Sequence, residues 1–311
     1  MRNPVYRLNV GIITMEADPW ELEKNFERLE KYTREAVNRR ADLVIAPEAI
    51  LDGYAYGADP EAEFKELVSI AQKIPDGQYM QKGSKLAKEL KIYFIFGFLQ
   101  ISNNKLYNSV VMFDPEGEIV SIYSKVHPKN ESFITPGEEL KVTDTPFGKI
   151  GFLICSDRGV TDNFSTLGVQ GVQIIFLPMD GAGGTENIDA LRYKAMDNHC
   201  WIVVANTWSC ALISPQGEII SQRYECECVT LQRIDVHSHL AEEIETQVPN
   251  ESSSDNISEP RRKFLARRPD LYKPLIESPG ENAYFDSKGQ PTEKEIKSRK
   301  SWKNSLRKKK R

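Results

Sequence analysis

Short apolar runs alternating with helix-spaced segments, twice interrupted by hairpin turns, constrain this chain more than any other feature of its 311 residues. Val5–Thr14 reads as a first strand, residues 20–39 as an amphipathic helix and residues 42–46 as a short buried strand. Asp18 is expected to cap the helix, with Pro19 at its first position. Helices over 60–74 and 81–90 then lead into a strongly apolar strand over 91–101. From residue 106 the texture becomes a meander, because the turn residues DPEG at 114–117 separate two strands and SPQGE at 214–218 separates another pair. Between the two turns, the pattern predicts strands at 140–143, 150–155, 173–177 and 201–205 and helices at 161–169 and 188–199, with a last strand over 226–234. Alternating α and β with antiparallel hairpins predicts an α/β fold in which helices cover sheets, rather than one doubly wound sheet.

Composition narrows the class. Hydrophobic residues at 40% and charged residues at 28% are ordinary for a soluble globular chain. No segment approaches the apolar length of a membrane span, so no membrane partner is expected. Five cysteines at 155, 200, 210, 226 and 228 form no secreted disulfide framework, which favours a reducing, cytoplasmic setting. Cys226 and Cys228 lack a partner pair at zinc spacing, so no metal and no other cofactor is expected. The net charge of −4 hides an asymmetry: residues 297–311 hold 9 Lys and Arg and no acid, leaving the rest at −13. We therefore read residues 1–240 as a catalytic domain, 241–296 as a partly ordered extension and 297–311 as a basic, disordered tail. The tail attracts phosphates electrostatically, but with no recognised nucleic-acid fold a nucleic-acid partner is not expected.

Three predicted strands end in reactive side chains: Glu48 after DLVIAP, Lys125 after EIVSIYS and Cys155 after KIGFLI. A cysteine in that position packs as readily as it reacts. A carboxylate within reach takes a thiol proton, and an ammonium stabilises both thiolate and oxyanion, so the three residue types suffice for a cysteine hydrolase without histidine.

The contexts APEAILDGY at 46–54, YSKVHP at 123–128 and GFLICSDRG at 151–159, in that order, resemble the nitrilase superfamily of carbon-nitrogen hydrolases. The resemblance covers residues 5–235 and implies a four-layer α-β-β-α sandwich, assembled into homodimers or larger homo-oligomers. It maps the catalytic glutamate, lysine and cysteine onto Glu48, Lys125 and Cys155. A second catalytic glutamate maps onto Glu131, although Glu138 and Glu139 lie close by. LRYKAMDN at 191–198 is similar to a family helix motif, with Asp197 in place of the usual glutamate. The implied activity cleaves a small amide or N-carbamoyl substrate through a thioester, releasing ammonia or an amine. Action on a nitrile, or a silent member serving as a binding module, stays open. CSDR favours amide or carbamoyl chemistry; Ser156, Asp157 and Arg158 are expected to shape the substrate site, Arg158 through a substrate carboxylate. Tyr54 is expected to line the pocket.

Overall fold

The computed structural model describes residues 5–58, 62–129, 131, 133–181, 185–237, 266–276, 292–297 and 300–301. Two six-stranded sheets form its centre. In the first, β12 (Cys228–His237), β1 (Val5–Thr14), β2 (Leu43–Ile45), β3 (Tyr93–Ser102), β4 (Lys105–Phe113) and β5 (Ile119–Ser124) lie side by side in that order. In the second the order is β11 (Ile219–Arg223), β10 (Cys210–Ile213), β9 (Trp201–Ala205), β8 (Ile174–Pro178), β7 (Gly148–Phe152) and β6 (Val142–Thr145). The core of each is parallel, β1-β2-β3 and β7-β8-β9, and both hairpins predicted from turn residues are present as β4-β5 and β10-β11.

Period-two alternation builds the layers. Leu8, Val10 and Ile12 of β1 meet Ile174 and Phe176 of β8 and Val203 of β9 between the sheets. Their neighbours point outward: Ile13, with Phe94, Phe96 and Phe98 of β3, packs under α1 (Leu22–Asn38) and α4 (Gln78–Leu90). Ile175, Leu177, Ile202 and Val204 pack under α5 (Thr161–Val169) and α6 (Thr185–Asn198). The result is the expected four-layer α-β-β-α sandwich. It brings the carboxyl ends of parallel strands from both sheets to one rim, where sites in α/β sheets form.

Three local expectations give way. Asp18 does not cap α1: Trp20 turns the chain with φ 72°, α1 starts after Glu21, and the Asn25 side chain bonds the Asp18 backbone at 2.9 and 2.7 Å. The helix expected over 60–74 is the shorter α3 (Phe64–Ile70), begun by a Glu63/Glu66 capping box and preceded by the short, unexpected α2 (Ala55–Ala58). It stops at Ala71, and Gln72 then bonds the backbone of Leu99 and Ile101. The strand expected to deliver Cys155 ends at Phe152, and Cys155–Gly159 forms a 3₁₀ turn. Beyond β12, residues 269–271 form a second 3₁₀ turn and Lys273–Ile276 forms α7, while most of the proposed extension and tail lies outside the described residues.

Candidate active site

Glu48 follows β2, Lys125 follows β5 and Cys155 opens the turn after β7, so all three stand on the shared rim. The loop carrying Glu48 passes so close over β3 that a Cβ on Gly97 would sit 2.4 Å from the Ala49 nitrogen. Glycine is the residue that permits this crossing. The loop is fixed to the other sheet as well, the Glu48 N–H donating to the Met179 carbonyl at 3.3 Å. Cys155 has φ 43°, a left-handed conformation that a non-glycine residue adopts only when its surroundings enforce it. That turn lifts its thiol out of the strand path and into the cleft.

The polar centre is buried and tightly bonded. Lys125 Nζ donates to Glu48 Oε1 at 2.7 Å and to Glu131 Oε1, and all three side chains are at most 1% exposed. Glu131 is therefore the carboxylate beside the lysine, whereas Glu138 and Glu139 line a separate surface groove. Asn108, in β4, completes the group: its Nδ2 donates to Glu48 Oε1 at 2.7 Å and to Glu131 Oε2 at 3.1 Å. Its carbonyl accepts the Lys125 N–H at 2.8 Å. The backbone of Asp180, after β8, links Glu48 to Cys155, since its N–H donates to Glu48 Oε2 at 2.9 Å and its carbonyl lies 3.8 Å from Cys155 Sγ. Neither Asn108 nor Asp180 was predicted. The available signal was polar residues inside or directly after otherwise apolar strands, KLYNSVVMF and IIFLPMD.

Electrostatics set the resting protonation. Burial pushes the Cys155 thiol up to about 12, the Glu48 charge adds to this, and Lys125 and Arg158 oppose it. Cys155 therefore rests as a thiol, and a base must take its proton before it can act as a nucleophile. Burial works against the Lys125 ammonium, but Glu131 and Glu48 outweigh it and hold its pKa well above the ordinary lysine value. Burial also raises Glu131, against the pull of Lys125, and the neighbouring Glu48 charge raises it further.

A cleft of about 650 Å³ opens over the thiol, a size suited to a small ligand. Tyr54, Lys125, Glu131, Cys155, Ser156 and Arg158 line it, together with Lys129 and Lys194, which were not predicted. Arg158 stays near Cys155, its Nη1 2.7 Å from the Cys155 carbonyl and 3.4 Å from Sγ. Lys194 Nζ donates to the Arg158 carbonyl at 2.9 Å. Asp157 departs from its expected place. Its fully buried carboxylate accepts from the Tyr123 hydroxyl at 2.7 Å, the His127 N–H at 2.8 Å and the Ile154 N–H at 2.9 Å, and it does not line the cleft. A 3₁₀ turn places residues two apart on different sides, so Asp157 faces inward between the lysine and cysteine segments. The Ser156 hydroxyl is likewise committed, donating to the His127 carbonyl at 2.6 Å, although the residue lines the cleft. No group of three or more potential metal ligands occurs among the described residues.

Residues 9–238 match the family model described as "Carbon-nitrogen hydrolase". Among sequence relatives, a protein named "Nitrilase" from Pyrococcus abyssi is 28% identical over 233 residues, covering 71% of this chain and 86% of its own. "Omega-amidase NIT2" from Homo sapiens is 27% identical over 281 residues, covering 82% and 93%. Among solved structures, an amidase from Nesterenkonia sp. superposes with a TM-score of 0.67 at 15% identity, covering 86% of this chain and 96% of its own. The C. elegans NitFhit protein gives 0.69 at 21% identity, covering 88% and 67%.

Proposed function

The chain belongs to the carbon-nitrogen hydrolase family, and from that premise we propose that it hydrolyses small amides, N-carbamoyl compounds included, with Cys155 as nucleophile and release of ammonia. The observation that carries this reading is the buried Glu48–Lys125–Glu131 cluster beside a raised thiol at the floor of a small cleft.

In the proposed sequence Glu48 takes the Cys155 proton as sulfur attacks the amide carbon, forming a C–S bond and an oxyanion. The Lys125 ammonium and the Ser156 N–H stabilise that oxyanion. Glu48 returns the proton to the leaving nitrogen, the C–N bond breaks and ammonia departs. Water, deprotonated by Glu48, then attacks the thioester; the carboxylic acid leaves and the thiol is restored. Glu131 and Asn108 act as positioning residues, holding Lys125 and Glu48 in register. Lys125 keeps its proton throughout, in line with the two carboxylates that hold it charged.

Arg158, Lys129 and Lys194 make the outer wall of the cleft cationic, which favours an acyl group that ends in a carboxylate. The relatives named omega-amidase support the same class. We place the enzyme in the cytoplasm as a homo-oligomer, on the family resemblance and the cysteine usage. Ammonia release from a panel of acidic ω-amides, N-carbamoyl acids, neutral amides and nitriles tests the reading. The expected profile is turnover of acidic amides at lower KM than neutral ones of equal length, lost in Cys155→Ala. Turnover of nitriles only, or of nothing, would overturn it.

A further inference from the structure

A second, smaller cavity of about 150 Å³ reaches the same catalytic group from the other side. Its mouth is formed by Glu16, Ala17 and Pro19, and its floor by Glu48, Tyr54 and Asp180. The two cavities divide the machinery between them. Cys155, Lys125 and Glu131 line the large cleft and not the small cavity; Glu48 lines the small cavity and not the large cleft. Tyr54 is a wall of both, and the Asp180 peptide spans the gap, bonded to Glu48 through its N–H and close to Cys155 Sγ through its carbonyl.

We propose that the small cavity is the binding site and entry route for the hydrolytic water, which meets Glu48 from behind while the acyl group still fills the front cleft. This rests on the thioester reading above. Once the acyl group is on Cys155 it occupies the cleft on which the thiol opens, whereas the small cavity is a space that Glu48 itself lines and Cys155 does not. The space is too small for a substrate with an acyl chain yet holds several waters, and the carboxylates of Glu48 and Asp180 among its lining residues give water the polar partners it needs. The step balances: the water O–H gives its proton to Glu48, oxygen bonds the thioester carbon, the C–S bond breaks, and the proton passes to the departing thiolate.

The test narrows the mouth without touching the front. Ala17 is partly exposed and lines only the small cavity, so Ala17→Leu and Ala17→Phe form a graded series. Rapid-mixing measurement of ammonia should show a burst of one equivalent per active site in both variants, which also reports that they are folded. After it, kcat should fall by about tenfold or more in the phenylalanine variant while kcat/KM, which reports acylation, stays within about twofold. Mass spectrometry at steady state should find the acyl group on Cys155. Loss of the burst in folded variants, or wild-type kcat with no accumulated thioester in both, would overturn the proposal. If wild type releases no ammonia from any amide, the functional reading fails first; if wild type turns over and the variants match it, only the rear water site fails.

Discussion

Replacing Asp52 by asparagine should remove a pH-dependent penalty from the loop that carries Glu48. Asp52 is 1% exposed and accepts the Leu99 N–H at 2.7 Å, which ties the loop to β3. Burial raises its carboxyl from the ordinary 3.8 to about 8, with the Leu99 N–H pulling back. Between those two values the folded protein holds a proton that the unfolded chain has released. The unfolded state binds fewer protons there, so stability falls as pH rises, by about 1.4 kcal/mol per pH unit. From pH 5 to pH 7 this group costs about 3 kcal/mol, a large part of a typical domain stability. Asparagine keeps an oxygen for the Leu99 N–H and has no proton to lose. Urea unfolding of wild type and Asp52→Asn at pH 5, 6, 7 and 8 should give a stability difference that moves in favour of the variant by about 1.4 kcal/mol per unit up to pH 7, flattening near pH 8. Curves that run parallel across that range would refute the assignment of a neutral, buried carboxyl.

Three further outcomes follow from the site. Lys125→Met leaves Glu48 and Glu131 buried without their cation, and should abolish turnover and destabilise the fold by about 3–5 kcal/mol in chemical denaturation, more at pH 8 than at pH 5. Asn108→Ala removes one donor from each carboxylate and should lower kcat by about 10- to 100-fold with little change in KM, as steady-state ammonia assays would show. Lys129→Ala, at an exposed position on the cleft wall, should raise KM for an acidic amide by about threefold and leave a neutral amide unchanged, the difference fading in high salt.

The strands were legible because their apolar runs are short and bounded by turn residues, and their ends marked Glu48, Lys125 and Cys155. What lay beyond was tertiary. Asn108 is a mid-strand residue in sequence, and only the packing of β4 beside β5 and β3 brings its amide to Glu48 and Glu131. Asp157 neighbours Cys155 closely enough to suggest substrate contact, yet the turn directs it inward onto Tyr123 and His127. Asp18 carried a capping signal that the left-handed Trp20 cancels, because the chain bends there before the helix begins. The cationic wall was half visible: Arg158 stood in a motif, whereas Lys194 reaches the cleft from a helix some forty residues on.

The inward bonds of Asp157 bear on how such an enzyme can diversify. Its carboxylate holds segments from both sheets at a fixed separation, so the spacing between the ammonium of Lys125 and the sulfur of Cys155 is gauged by a side chain that does not line the cleft. The very next residue, Arg158, faces the cleft. Calibration and clientele thus occupy adjacent codons but separate physical compartments, and mutation at the outer positions can reshape the cleft while the geometry of the polar centre is inherited intact.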